Sequence, residues 1–195
     1  MKVVNDKLYL KIIFFGTALA GKTTTLKWLF HNSIPDEFKM AEQVRSLETS
    51  FGQTLFFDFT PLQLSPHIII RIYTTTGQNY YNMTRRLLFE EVDGLFFIAD
   101  SRKPELEHNR EFVSELRELQ ETNGSMKQAE VIVLCNKQDE ADIYSPDELT
   151  ELLGLSEYTR FPACALKGSN LQEAFAVMMD RLLRKIRNGD AHAFS

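Results

Sequence analysis

The residues best suited to chemistry open at Gly16, where GTALAGKTTT follows the apolar run LKIIFF. Gly16 and Gly21 let successive backbone N–H groups turn inward, and Lys22 and Thr23 follow at once, in the G-x-x-x-x-G-K-T spacing of a phosphate-binding loop. Gly16, Ala20, Gly21, Lys22, Thr23 and Thr24 are the candidate cradle. A helix starting near Lys22 adds its positive dipole end. Lys22 is suited to neutralise β- and γ-phosphate charge, and the Thr23 hydroxyl to ligate Mg²⁺.

A phosphate loop does not tell adenine from guanine, but VIVLCNKQD, Val131 to Asp139, does. Asp139 is placed to accept two hydrogen bonds, from N1–H and the 2-amino group of guanine; adenine would leave that carboxylate unpaired. The stem of Lys137 covers the base plane, and Asn136 braces the neighbouring loops. In ACALKG the Ala165 N–H is aimed at guanine O6, with Cys164 and Leu166 on either side. The expected bound nucleotide is therefore GTP or GDP, with Mg²⁺.

These pieces need a scaffold that brings Gly16, Asn136 and Ala165 to one edge. Strand-like runs at 7–15, 54–60, 68–75, 94–100, 130–136 and 160–165 alternate with helical patterns. That order predicts an α/β domain of P-loop NTPase type, a mixed, mostly parallel central sheet with helices on both faces. The link PLQLSPH is too short to cross over, so the runs it joins must form an antiparallel hairpin. Helices are expected over 105–120, from Pro146 with Ser145 as N-cap, Glu148 at the third position and Gly154 as stop, and from Leu171 with Asn170 and Glu173 as a capping pair. A single domain is expected over 1–195, with a short flexible tail from about 188.

In the order phosphate loop, N-K-x-D and CALKG, the chain resembles the Ras-like small GTPases. TTTGQ, Thr74 to Gln78, stands where they usually read D-T-A-G-Q. The resemblance implies that Gly77 offers its N–H to the γ-phosphate and that Gln78 orients the attacking water. Thr74 replaces the aspartate that usually supports Mg²⁺, and Asp58 is the candidate replacement; an aspartate at a frayed strand end is the other reading. TLFFDFTPL, YTTTGQ and RRLLFEEVDGLFFIADS together look like the MglA family of prokaryotic GTPases, often paired with an activating roadblock-fold partner, MglB.

That resemblance implies Thr54 as the switch threonine on Mg²⁺ and γ-phosphate, and Asp58 as the substitute carboxylate. Gln53 stands where the family commonly has an arginine finger, a group worth ~10³ to 10⁵ in rate. Arg45 has two readings, a substitute finger or a solvated loop residue. Thr76 replaces a proline. The expectation is a monomeric switch that hydrolyses GTP slowly, with Gln78, Lys22 and Thr54 as catalytic residues, stimulated by a roadblock-type partner and read by effectors. The alternative is a nucleotide-dependent scaffold with negligible hydrolysis.

Other features narrow the field. A net charge of -5 argues against a nucleic-acid binder. No run reaches the ~18 apolar residues of a membrane span, and the cytoplasm is the expected location. His31, His67, His108 and His192 are scattered without ligand or triad spacing. The basic stretch RLLRKIRNG reads as cations at a helix C-terminus or as a lipid contact. Tyr80 and Tyr81 read as a partner contact or as core packing.

Overall fold

The computed structural model describes residues 1–40, 47–48, 54–55, 59–75 and 88–189. Its strands are β1 (Lys2–Val4), β2 (Lys7–Phe15), β3 (Leu47–Glu48), β4 (Thr54–Leu55), β5 (Phe59–Ser65), β6 (Ile68–Thr74), β7 (Gly94–Asp100), β8 (Glu130–Asn136) and β9 (Thr159–Pro162). The α-helices are α1 (Lys22–Asn32), α2 (Leu106–Thr122), α3 (Gly124–Gln128), α4 (Pro146–Leu152) and α5 (Leu171–Gly189).

The main sheet runs β5-β6-β2-β7-β8-β9, with β1 antiparallel beside the start of β2. Pairs β6-β2, β2-β7, β7-β8 and β8-β9 are parallel, and β5-β6 is antiparallel, as the short link required. Alternate residues serve opposite faces. Ile13, Phe15, Phe97 and Val133 pack with Phe112 and Leu116 of α2, whereas Leu10, Ile12, Phe96 and Ile132 pack with Leu26 of α1 and Met178 and Leu182 of α5. Where α5 crosses β7 the Met178 thioether lies close over Gly94, and a methyl there would fall 2.6 Å from its Sδ, so that side chain would have to move.

The hairpin departs from expectation in an instructive way. Its strand is Phe59–Ser65, and Thr54–Leu55 instead forms a two-residue ladder with Leu47–Glu48. The tight turn at Pro66–His67 starts the ladder with Ser65 opposite Ile68, and an irregularity between Gln63 and Ser65 shifts it by one, placing Phe59 opposite Tyr73. Pro61 is tolerated because β5 is the edge of the main sheet.

Of the two helix caps expected from the sequence, one forms and one does not. Ser145 Oγ accepts from Glu148 N, and Glu148 returns its carboxylate to Ser145 N, a complete capping box behind Pro146. Asn170, expected to cap with Glu173, sits at φ +57 and donates its side-chain amide to the Pro162 carbonyl at 2.7 Å. Helix α5 continues through Gly189, and the last residues of the expected tail, 190–195, lie outside the described residues.

Candidate functional site

The parallel strands β2, β7, β8 and β9 end at one edge, the place where open α/β sheets bind ligands. From the end of β2 the chain turns through residues 16–21 into α1. Gly16 has φ +147, and a methyl there would fall 2.2 Å from the Ile98 carbonyl oxygen; at Gly21, φ +103, it would fall 2.3 Å from Asn136 Nδ2. Both positions exclude a side chain on conformation and on space. Helix α1 then starts with no side-chain cap and no acidic residue in its first turn, leaving its N–H groups and dipole for an anion.

Lys22 is 7% exposed and curls back over the loop, donating from Nζ to the Gly16 and Thr17 carbonyls, at 2.7 Å to the first. Thr23 and Thr24 follow it on the first turn of α1, and Ala20 is fully buried beneath the loop. These residues fit a phosphate: a loop that admits only glycine at two points, an uncapped helix start and an inward ammonium.

Asn136 ties the other two pieces to this loop. Its Nδ2 donates to the Ala20 carbonyl at 2.7 Å, and its Oδ1 accepts the Ala165 N–H at 2.8 Å. The bracing role expected of it is seen directly. The same bond engages the Ala165 N–H that was expected to meet guanine O6. Cys164 and Ala165 are buried, and Leu166 is exposed. The loop returns through Gly168 at φ +75, packed so closely on the Trp28 ring of α1 that a methyl there would meet it at 1.8 Å.

The charged residues divide into two groups. Asp139 lies 3.4 Å from Lys167 Nζ, and a hydrogen bond from the Cys164 thiol, helped by Lys167, holds its carboxyl below the ordinary aspartate range against desolvation. Lys137, at φ +69, turns its Nζ to Asp100 Oδ2 at 2.5 Å. Asp100 is fully buried and also takes Arg102 through Nε at 3.0 Å, Nη2 at 2.9 Å and the backbone N–H at 3.1 Å. Arg102 and Lys137 overcome the cost of burial and keep this carboxyl below its usual range.

Asp100 and Arg102 were missed by sequence reasoning, although a carboxylate closing the apolar run GLFFIAD is a signal, since burying it unpaired is costly. Thr54 is described in its backbone alone, on the ladder with Glu48. Asp58, Gly77 and Gln78, with Arg45, Gln53, Thr76, Tyr80 and Tyr81, lie outside the described residues. Among the described residues, no group of three His, Cys, Asp or Glu side chains is arranged to hold a metal, and no helix is long and apolar enough to cross a membrane.

Comparison with known proteins places this geometry in a family. The chain is 28% identical over 184 residues to the mutual gliding-motility protein MglA of Myxococcus xanthus, covering 92% of this chain and 93% of that one. A solved structure of the Arl6 BBS3 small GTPase from Trypanosoma brucei, with the bound nucleotide analogue GppNp, superposes with a TM-score of 0.66 at 16% identity, over 91% of this chain and 99% of that chain; it shows the shared fold. The model of the ADP-ribosylation factor family matches residues 1–182. This bears out the coarser part of the sequence reading, a Ras-like small GTPase, whereas MglA is a finer assignment than the family model makes. The chain belongs to the ADP-ribosylation factor family, within the Ras superfamily of small GTPases.

Proposed function

We propose that this chain is an MglA-like switch that binds GTP and GDP, hydrolyses GTP slowly with Mg²⁺ and is stimulated by a roadblock-type partner before effectors read its state. The observation that carries the reading is Asn136, which joins the phosphate loop at Ala20 to the CALKG loop at Ala165 and directly precedes Lys137 in the N-K-x-D motif. Similarity to the Myxococcus MglA protein supports the finer assignment.

In this reading Lys22 and the start of α1 balance phosphate charge, and Asp139, kept ionised, accepts from the guanine edge. Guanine O6 becomes a second acceptor for the Ala165 N–H. Gly77 donates to the γ-phosphate and Gln78 positions the attacking water. Thr23, Thr54 and Asp58 would hold Mg²⁺, which would supply neutralisation of phosphate charge. Asp58→Ala is expected to weaken Mg²⁺-dependent GTP binding more than GDP binding; equal losses contradict its role.

Single-turnover GTP hydrolysis by the purified chain, with and without a roadblock-fold partner, tests the enzyme reading. Slow phosphate release that the partner accelerates is expected. Release under neither condition would leave a nucleotide-dependent scaffold in its place.

A further inference from the structure

The carboxylate suited to reading a base already has a cation beside it. Lys167 Nζ stands 3.4 Å from Asp139 Oδ2, and among the described residues Asp139 is its one ion-pair partner. The Lys167 side chain is 67% exposed and that of Asp139 23%, so the pair adds little to stability. Its placement matters more than its strength, because the backbone beneath Lys167 is held. The N–H groups of Lys167, Gly168 and Ser169 converge on the Cys164 carbonyl, at 3.2, 2.7 and 3.2 Å. Gly168 is packed on the Trp28 ring, and Ala165 is tied to Asn136. A flexible stem therefore starts from a fixed point and ends at Asp139.

Counting donors and acceptors gives this ammonium a role, which rests on the guanine reading above. Guanine presents two donors to the carboxylate, N1–H and the 2-amino group, one for each oxygen. Hypoxanthine keeps N1–H and the 6-oxo group but lacks the 2-amino group. One carboxylate oxygen then loses its partner, and an unpaired ionised acceptor is the costly part of such a loss. Lys167 is placed to meet it. Each oxygen has two lone-pair sites, so the ammonium need not leave when guanine binds. Adenine gains nothing, because its N1 is an acceptor and faces the carboxylate without a proton between them.

We propose that Lys167 is a specificity-determining residue that admits hypoxanthine nucleotides beside guanine nucleotides, by giving Asp139 the hydrogen bond that the missing 2-amino group does not. The site then tests strictly for N1–H and weakly for the 2-amino group. It separates 6-oxopurines from adenine and discriminates little among the 6-oxopurines.

The test is displacement of a fluorescent GDP from the full chain, read by energy transfer from Trp28, with GDP, inosine diphosphate and ADP as competitors. Wild type, Lys167→Met and Lys167→Arg are compared. The readout is the ratio of the inosine diphosphate to the GDP dissociation constant, which a loosened loop leaves unchanged because it weakens both nucleotides alike. The ratio is expected to widen about tenfold in Lys167→Met and to stay within about twofold of wild type in Lys167→Arg, which keeps a cationic donor. ADP should compete poorly throughout. A ratio unchanged in Lys167→Met, or widened as far in Lys167→Arg, overturns the proposal. If wild type fails to bind fluorescent GDP, the nucleotide reading falls and this inference with it; GDP binding with a ratio indifferent to Lys167 removes this inference alone.

Discussion

The ends of β7 and β8 lie side by side, with Asp100 and Asn136 as direct register partners, yet they hold the site by opposite means. Asn136 is a neutral brace, one donor and one acceptor joining loops that lie far apart in sequence. Asp100 is a charged brace, a fully buried carboxylate that fixes a cation from each side, Arg102 and Lys137. Asn109 secures its backbone too, accepting from Asp100 N at 3.1 Å and donating to Asp100 O at 2.8 Å. A neutral brace costs little desolvation and transmits position. A charged one depends on keeping both its partners and its ionisation.

Breaking the charged brace should have the larger effect. Asp100→Ala leaves two cations without their counter-charge and should cost about 3 kcal/mol in urea unfolding. Asn136→Ala removes two hydrogen bonds and should cost about 2 kcal/mol, and it should also speed release of fluorescent GDP, because the two loops lose their common tie. If the two variants are equally destabilised, the distinction between the braces fails.

Acid sharpens the contrast. The folded-state pKa of Asp100 lies below its unfolded value, so its contribution is fully present above the ordinary aspartate range and is lost as pH falls through the depressed value. The stability gap between wild type and Asp100→Asn should therefore shrink in acid, whereas a neutral brace gives Asn136→Ala no such dependence of its own. The smallest effect is expected one residue before Asn136. Burial pushes the Cys135 thiol up to about 12, so iodoacetamide at neutral pH should label it only after unfolding. Labelling of Cys135 in the native chain would show that the strand beneath the braces is open.

What was legible in the sequence was what short-range chemistry decides. The glycine spacing of the loop, the capping box at Ser145 and the apolar runs of β2, β7 and β8 each carry their cause within a few residues. The β5 register was not legible, because it is set by the Pro66–His67 turn and the irregularity between Gln63 and Ser65, which no periodicity announces. Asn170 looked like a cap because Glu173 follows it, but its amide is taken by Pro162, which comes from β9. The bracing role of Asn136 was read correctly from motif order. Asp100 was overlooked because Lys137, which explains half of its burial, lies on the next strand.

The central claim is that the edge built around Asn136 selects guanine. Fluorescent GDP bound to the full chain, detected by energy transfer from Trp28, should be displaced by GTP and retained in the presence of an equal concentration of ATP. Displacement by ATP as effective as that by GTP would contradict it.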